Sequence, residues 1–202
     1  MTLHTCQEFN DCGKNAKKYD NAIKYKGMIQ DFVRNGGHYL GVCLGAYLAD
    51  SIGFDLLPKG VHSGSEIDRD RAPIDTDDDT VVKVDYRFSD GSVQDGRWVY
   101  FQEGAVITGL KEDSDQVIAQ YTANDDVAAS VTPYGKGFVG LIGFHPEADE
   151  TWCKYSYRKQ TNIVYTRMLT LYLTDEDQDF TNPDGVSPKI GLDFIEHIFQ
   201  GN

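Results

Sequence analysis

Basic residues are scarce in this chain: 19 Lys and Arg stand against 32 Asp and Glu, a formal net charge of −13. No basic face can be assembled to neutralise phosphates, which argues against nucleic acid as a partner. The same sign of charge disfavours an anionic membrane surface. Long apolar runs are missing as well, with no stretch of 18 or more such residues to cross a bilayer. The opening MTLHTCQEFNDCGKN lacks the apolar core of a secretory signal, so a cytoplasmic location is expected.

Cysteine is sparse, at Cys6, Cys12, Cys43 and Cys153. In a chain this large without a secretory signal, free thiols are expected rather than disulfides. Cys6 and Cys12 have no second Cys/His pair at zinc-ligand spacing, so no metal site is expected. Asp75, Asp77 and Asp79 superficially suggest a calcium loop, but Thr80 stands where its glycine belongs and Tyr86 where its glutamate belongs. That run reads as a solvated acidic loop. No cofactor motif, internal repeat or low-complexity tract is present.

What remains is a soluble globular composition of a length suited to one domain with a sizeable core. Residues 19–37 read as a helix, with Ala22, Ile23, Met28, Ile29, Phe32 and Val33 near three- and four-residue spacing and Asn35-Gly36-Gly37 as its stop. HYLGVC follows as a short strand, then LGAYLADSIG as a short helix. Helix, strand, sharp turn, helix is the local grammar of an α/β protein with a parallel sheet. From Phe54 to about Thr80 the chain reads as polar loop, and residues 81–145 as strand-rich. Within that region Tyr134-Gly135-Lys136-Gly137 has hairpin chemistry. TNIVYTRMLTLYL reads as a further helix, and KIGLDFIEHIFQ as a final amphipathic helix that docks on the parent domain. The expected organisation is one domain over 1–174, irregular over 1–19, followed by a linker and docked helix over 175–202.

Chemistry enters at Gly41-Val42-Cys43-Leu44-Gly45. This is the thiol counterpart of the Gly-x-Ser-x-Gly elbow, in which small flanking residues permit a strained turn that projects a nucleophile. A helix N-terminus there favours the thiolate, and the Leu44 amide N–H points where an oxyanion would form. Read alone, the motif fits a buried structural cysteine equally well. The second signal is GLIGFHPEADETW, where His145 follows an apolar strand and Glu147 stands across the stiff Pro146. A thiol nucleophile needs an imidazole base, and the base needs a group to fix its tautomer. His4, His38, His62 and His197 have no such neighbour and are expected at the surface or in packing. Together the two motifs predict a Cys43–His145–Glu147 triad.

GVCLG followed about a hundred residues later by GFHPE resembles the class I glutamine amidotransferase-like superfamily, whose triad is Cys-His-Glu. GGHYLGVCLGAYLA, with VYFQEGAVI, VIAQYTA and GKGFVGLIGFHPE, is similar to its biotin–protein ligase N-terminal-domain-like branch over roughly residues 20–172. The resemblance implies an α/β, flavodoxin-like three-layer sandwich with an antiparallel excursion around residues 80–140. Two departures qualify what it implies. Glutamine-hydrolysing members continue the elbow with His-Gln, and the glutamine helps hold the substrate; here Ala46 and Tyr47 occupy those positions, so glutamine should bind poorly. Members also place two strands and a Pro-Gly-Gly-like loop, donor of the other oxyanion-hole amide, before the elbow. This chain has no apolar strand among its first nineteen residues and only Gly13 as a substitute. Either N-terminal strands are lacking or residues 1–19 replace them, and a sheet edge left open would invite a homo-oligomer.

Two readings follow. One is a cysteine hydrolase or amidotransferase-like enzyme acting on a small amide or acyl substrate, with Cys43 attacking, His145 moving the proton, Glu147 orienting it, Leu44 donating to the oxyanion, Gly41 and Gly45 shaping the elbow and Tyr47 lining the pocket. The other is a non-catalytic ligand-binding or regulatory module that keeps the same pocket. A redox-sensing thiol at Cys43 is a weaker third.

Overall fold

A computed structural model describes residues 22–76, 79–111, 114–148 and 188–201. The expected helix over 161–173, residues 1–19 and the linker over 175–187 lie outside them. Among the described residues the chain is mixed α/β, with helices α1 (Lys26–Arg34), α2 (Leu44–Leu48) and α3 (Pro188–Gln200). Eight strands form one sheet: β1 (His38–Val42), β2 (His62–Ser65), β3 (Thr80–Arg87), β4 (Val93–Phe101), β5 (Ala105–Thr108), β6 (Val117–Tyr121), β7 (Val127–Tyr134) and β8 (Gly137–Ile142).

The main path runs β1-β8-β7-β6-β3-β4, with β5 joined to β7 and β2 joined to β5. Only β1 and β8 pair in parallel, in register from His38↔Phe138 to Val42↔Ile142; every other pairing is antiparallel. The expected parallel sheet is thus confined to the pair that carries the elbow: β3–β4, β6–β7 and β7–β8 are antiparallel neighbours in sequence, and β2 and β5 join the sheet antiparallel as well. The hairpin at Tyr134–Gly137 and the strand-rich character of 81–145 are as expected. Residues 54–80 are not wholly loop: β2 pairs antiparallel with β5 and continues into a 3₁₀ turn, Glu66–Asp68. His-Ser-Gly-Ser has little strand propensity of its own, so the pairing with apolar β5 supplies what the local sequence does not.

The sheet is covered on both faces. Along β8, Val139 and Leu141 face a cluster holding Val33 of α1 and Ala46 and Leu48 of α2. Ile142 and Gly140 face the other way, towards Ile190, Phe194 and Ile198 of α3. Residues 190, 194 and 198 share one helix face by their four-residue spacing, and a Cβ on Gly140 would come within 2.4 Å of the Ile198 side chain. The last helix thus packs this apolar face on the sheet. It is also tied by polar groups: Tyr86 Oη donates to Asp193 at 3.1 Å, Ser89 Oγ donates to Asp193 at 2.6 Å, and His197 Nε2 lies 2.8 Å from the Arg87 carbonyl oxygen. In α1 the apolar set divides. Val33 is buried, while Met28 and Phe32 are more than 60% exposed, because they lie on the face turned from the sheet. No helix among the described residues is long and apolar enough to cross a membrane.

Candidate active site

Strand β1 ends at Val42, and α2 begins at Leu44, so Cys43 alone makes the turn. Its backbone is strained, with φ 49° and ψ −109° in a non-glycine residue, a conformation L-residues adopt only when their surroundings hold them there. Three hydrogen bonds do so. The Cys43 N–H donates to Ile142 O at 2.8 Å, Ala46 N–H donates to Cys43 O at 2.8 Å, and Tyr39 Oη donates to Gly45 O at 2.7 Å. Gly41 is required by space, since a Cβ there would stand 2.5 Å from the Gly45 carbonyl oxygen. Gly45 is not so constrained: its nearest neighbour would be Tyr39 Oη at 3.8 Å. The spacing in Gly-x-Cys-x-Gly thus records one close approach of strand to helix, with the side-chain-free atom on Gly41. Helix α2 has only five residues, so the macrodipole expected to favour the thiolate is short, and hydrogen bonds must supply most of any stabilisation.

The parallel register sets Val42 beside Ile142, and adjacent strands lie about 4.8 Å apart. Leaving β8, the chain crosses to β4, where His145 N–H donates to Tyr100 O at 2.9 Å and the two rings meet edge to face at 5.8 Å. His145 Nδ1 lies 3.0 Å from Glu147 Oε1. Facing a carboxylate, Nδ1 carries the proton, which leaves Nε2 as the basic nitrogen; Nε2 is screened from solvent. His145 and Glu147 are therefore paired as the His-Pro-Glu spacing predicts, at the end of the strand beside β1.

Between elbow and histidine lies the loop that follows β4. The Gln102 carbonyl oxygen stands 3.5 Å from Cys43 Sγ. Tyr47 Oη reaches the next two carbonyls, Glu103 O at 2.8 Å and Gly104 O at 3.1 Å. Burial pushes the Tyr47 phenol well up from its ordinary range, the Ser65 hydroxyl partly offsetting this, so Tyr47 acts as a neutral donor. Through these two bonds Tyr47 ties down the loop that follows β4.

The expectation of free thiols fails at Cys43, which is disulfide-bonded; Cys6, Cys12 and Cys153, its three potential partners, lie outside the described residues. The expectation came from composition and the lack of a secretory signal, which bear on redox compartment and not on which sulfurs the fold brings together.

One residue passed over as loop is part of this neighbourhood. Glu66 is fully buried, its backbone N–H donates to Gly104 O at 3.1 Å, and Asn124 Nδ2 donates to its Oε1 at 2.9 Å. Its Oε2 is buried with no hydrogen-bond partner among the described residues. Burial raises its pKa to about 7, Asp126 adds to the rise, and Asn124 and Arg69 oppose it. Tyr121 beside it, donating to Ala105 O at 2.8 Å, is also pushed up by burial and by the Glu66 charge. A carboxyl held near neutrality behind an elbow is the kind of group that active sites arrange.

No family model and no curated protein matches the chain. Among solved structures it is similar to a GH42 β-galactosidase and to a catalytic mutant of that enzyme from G. stearothermophilus, each at 18% identity and a TM-score of 0.36 over 67% of this chain. The chain spans about a fifth (19%) of the length of those structures.

Proposed function

We propose that this chain is a cysteine-dependent hydrolase or acyl transferase of the glutamine amidotransferase-like type, built on a flavodoxin-like sandwich and acting on a small amide or acyl substrate. The observation that carries the proposal is the strained Cys43 turn lying one strand from a His145–Glu147 pair. The reactive form is the reduced one. A dithiol reduces the Cys43 disulfide to two thiols, giving up two electrons and two protons and becoming a disulfide itself, and a reducing cytoplasm would keep Cys43 so. His145 Nε2 then takes the Cys43 proton, and the thiolate attacks the substrate carbonyl carbon. As the C–S bond forms, the C=O π pair moves onto oxygen, where the Leu44 N–H stabilises it. Collapse expels the amine with the proton that His145 returns, and water hydrolyses the thioester. Glu147 keeps Nδ1 protonated throughout.

Tyr47 and the Gln102 carbonyl favour a second reading. The Gln102 carbonyl beside the sulfur can accept from a ligand N–H and repels an anion, and Tyr47 holds the following part of its loop, which suits a binding or regulatory module. The two are separated on dithiol-reduced protein by following iodoacetamide alkylation of Cys43 against pH, with the site identified by mass spectrometry. For the enzyme, Cys43 titrates below the value of about 8.5 typical of a free thiol, and His145→Ala moves it back. A Cys43 that alkylates like an ordinary thiol, unchanged by His145→Ala, overturns the proposal in favour of the module.

A further inference from the structure

We propose that the outer edge of β1, with the apolar stripe of α3 beside it, is a docking surface for a second copy of this chain, the two β1 strands pairing antiparallel about a two-fold axis at Leu40. The inference is independent of the chemistry of Cys43.

Strand β1 ends the main path of the sheet, and among the described residues no strand lies on its outer side. The Cys43 N–H donates inward, to Ile142 O at the end of β8. Backbone groups alternate in direction along a strand, so Gly41 and Tyr39 also turn theirs to β8, while Leu40 and Val42 turn theirs outward. The other ends of the sheet carry features that keep edges from pairing. Strand β2 has only four residues, and β4 holds Asp95 and Arg97, with Gly96 at φ 65° between them and a shifted register against β3. His-Tyr-Leu-Gly-Val in β1 has no acidic residue, lysine, arginine or proline, and its register with β8 is unbroken. Such an edge readily accepts a further strand. The first nineteen residues of the chain offer no apolar strand to fill it.

The side chains along this edge are apolar. His38 and Leu40 stand beside Phe138 and Gly140 and so face the α3 side of the sheet. Helix α3 runs against the direction of β8, with Gly191 at Pro146 and Gly201 at Phe138. Its Asp193 and His197 turn towards Tyr86, Ser89 and Arg87. Leu192, Ile195 and Phe199, spaced by three and four residues, share the opposite flank, where the Phe199 ring meets the His38 ring edge to face at 4.9 Å. Leu40, Leu192, Ile195 and Phe199 are 45%, 67%, 38% and 69% exposed. At about 150–200 Å² for a fully exposed side chain of this size, they present on the order of 400 Å² of apolar surface. Interfaces are about 60% apolar, so this patch suits one of roughly 700 Å² per partner, close to the 800 Å² or so of a stable complex. A two-fold axis at Leu40 sets His38 of each chain opposite Val42 of the other, joins the two stripes and carries the sheet from one chain into the next.

The test is the mass of the full chain in solution, by sedimentation equilibrium from about 1 to 100 μM, with dithiol present so that no disulfide joins two chains. The expected result is a concentration-dependent rise to twice the 22.6 kDa of one chain, with slower exchange of the Leu40 and Val42 amides at the high end. Leu40→Lys sets two like charges against one another at the axis, and Leu192→Glu puts a charge in each stripe; each should raise the dissociation constant about tenfold or more. Met28→Lys, at a position as exposed as Leu192 but on the face of α1 turned from the sheet, should leave it unchanged. A chain that stays monomeric throughout overturns the proposal, and Leu40 and Val42 amides protected in that monomer assign the edge to another segment of the same chain. A dimer that Leu40→Lys and Leu192→Glu weaken no more than Met28→Lys does overturns this surface as the interface.

Discussion

Glu66→Gln tests the buried carboxyl behind the elbow through its effect on stability. In the folded chain Glu66 holds its proton to about pH 7, whereas unfolded it would lose it near the ordinary 4.5. Between those values the folded state binds more protons than the unfolded state, so stability falls as pH rises through the window. At about 1.4 kcal/mol per pH unit, the gap amounts to about 3 kcal/mol by pH 8. Glutamine keeps the shape and never ionises, so Glu66→Gln should match wild type at pH 4 and exceed it by up to about 3 kcal/mol at pH 8. For a chain of this length that is a rise of roughly 6–12 °C in Tm. The assay is urea or thermal unfolding of both proteins from pH 4 to 8.5, with the cysteines kept in one redox state. Only the difference between the curves is read, which cancels the other carboxylates. A difference that stays constant across the range, or grows as pH falls, would falsify the assignment of a near-neutral pKa to Glu66.

Two substitutions test the architecture. Gly41→Ala drives a Cβ to within 2.5 Å of the Gly45 carbonyl oxygen and should destabilise by about 1–3 kcal/mol, whereas Gly45→Ala, whose Cβ meets only Tyr39 Oη at 3.8 Å, should change Tm by little; equal effects in thermal unfolding would refute the steric account of the motif. Asp193→Ala removes the acceptor of the Ser89 N–H and leaves Tyr86 Oη with Ile190 O at 3.3 Å and Ser89 Oγ with Glu196 Oε2 at 3.0 Å; it should cost about 1.5 kcal/mol, seen as faster amide exchange in α3 ahead of the sheet.

The elements legible in the sequence are those whose signal is local. The elbow is announced by Gly41 because the strand-to-helix approach that excludes a side chain spans only four residues. His145 and Glu147 are two apart and joined by a proline, so their pairing needs no tertiary information. The strand β3 shows itself by alternation, with Val82, Val84 and Tyr86 all turned inward. Glu66 could not be read the same way. SGSEIDRD looks like solvated loop, and its burial comes from β2 pairing with β5 and from Asn124, 58 residues away in sequence. Tyr47 stood out in the sequence only as a departure from the glutamine-binding pattern. Its partners are carbonyls of residues 103 and 104, which carry no side-chain signature at all.

The same distinction bears on why so much strain is kept at one place. A buried non-glycine residue at positive φ persists only where the fold over-determines it. At Cys43 that work is done by backbone groups from two elements, Ile142 at the end of β8 and Gly45 and Ala46 in α2, with the Tyr39 side chain of β1 holding the Gly45 carbonyl. A core cysteine in need of packing alone could sit in any unstrained strand position of this sheet. Strain at Cys43, secured by these hydrogen bonds, fixes the direction of one sulfur at the end of β1, beside the end of β8 from which the chain leads to His145.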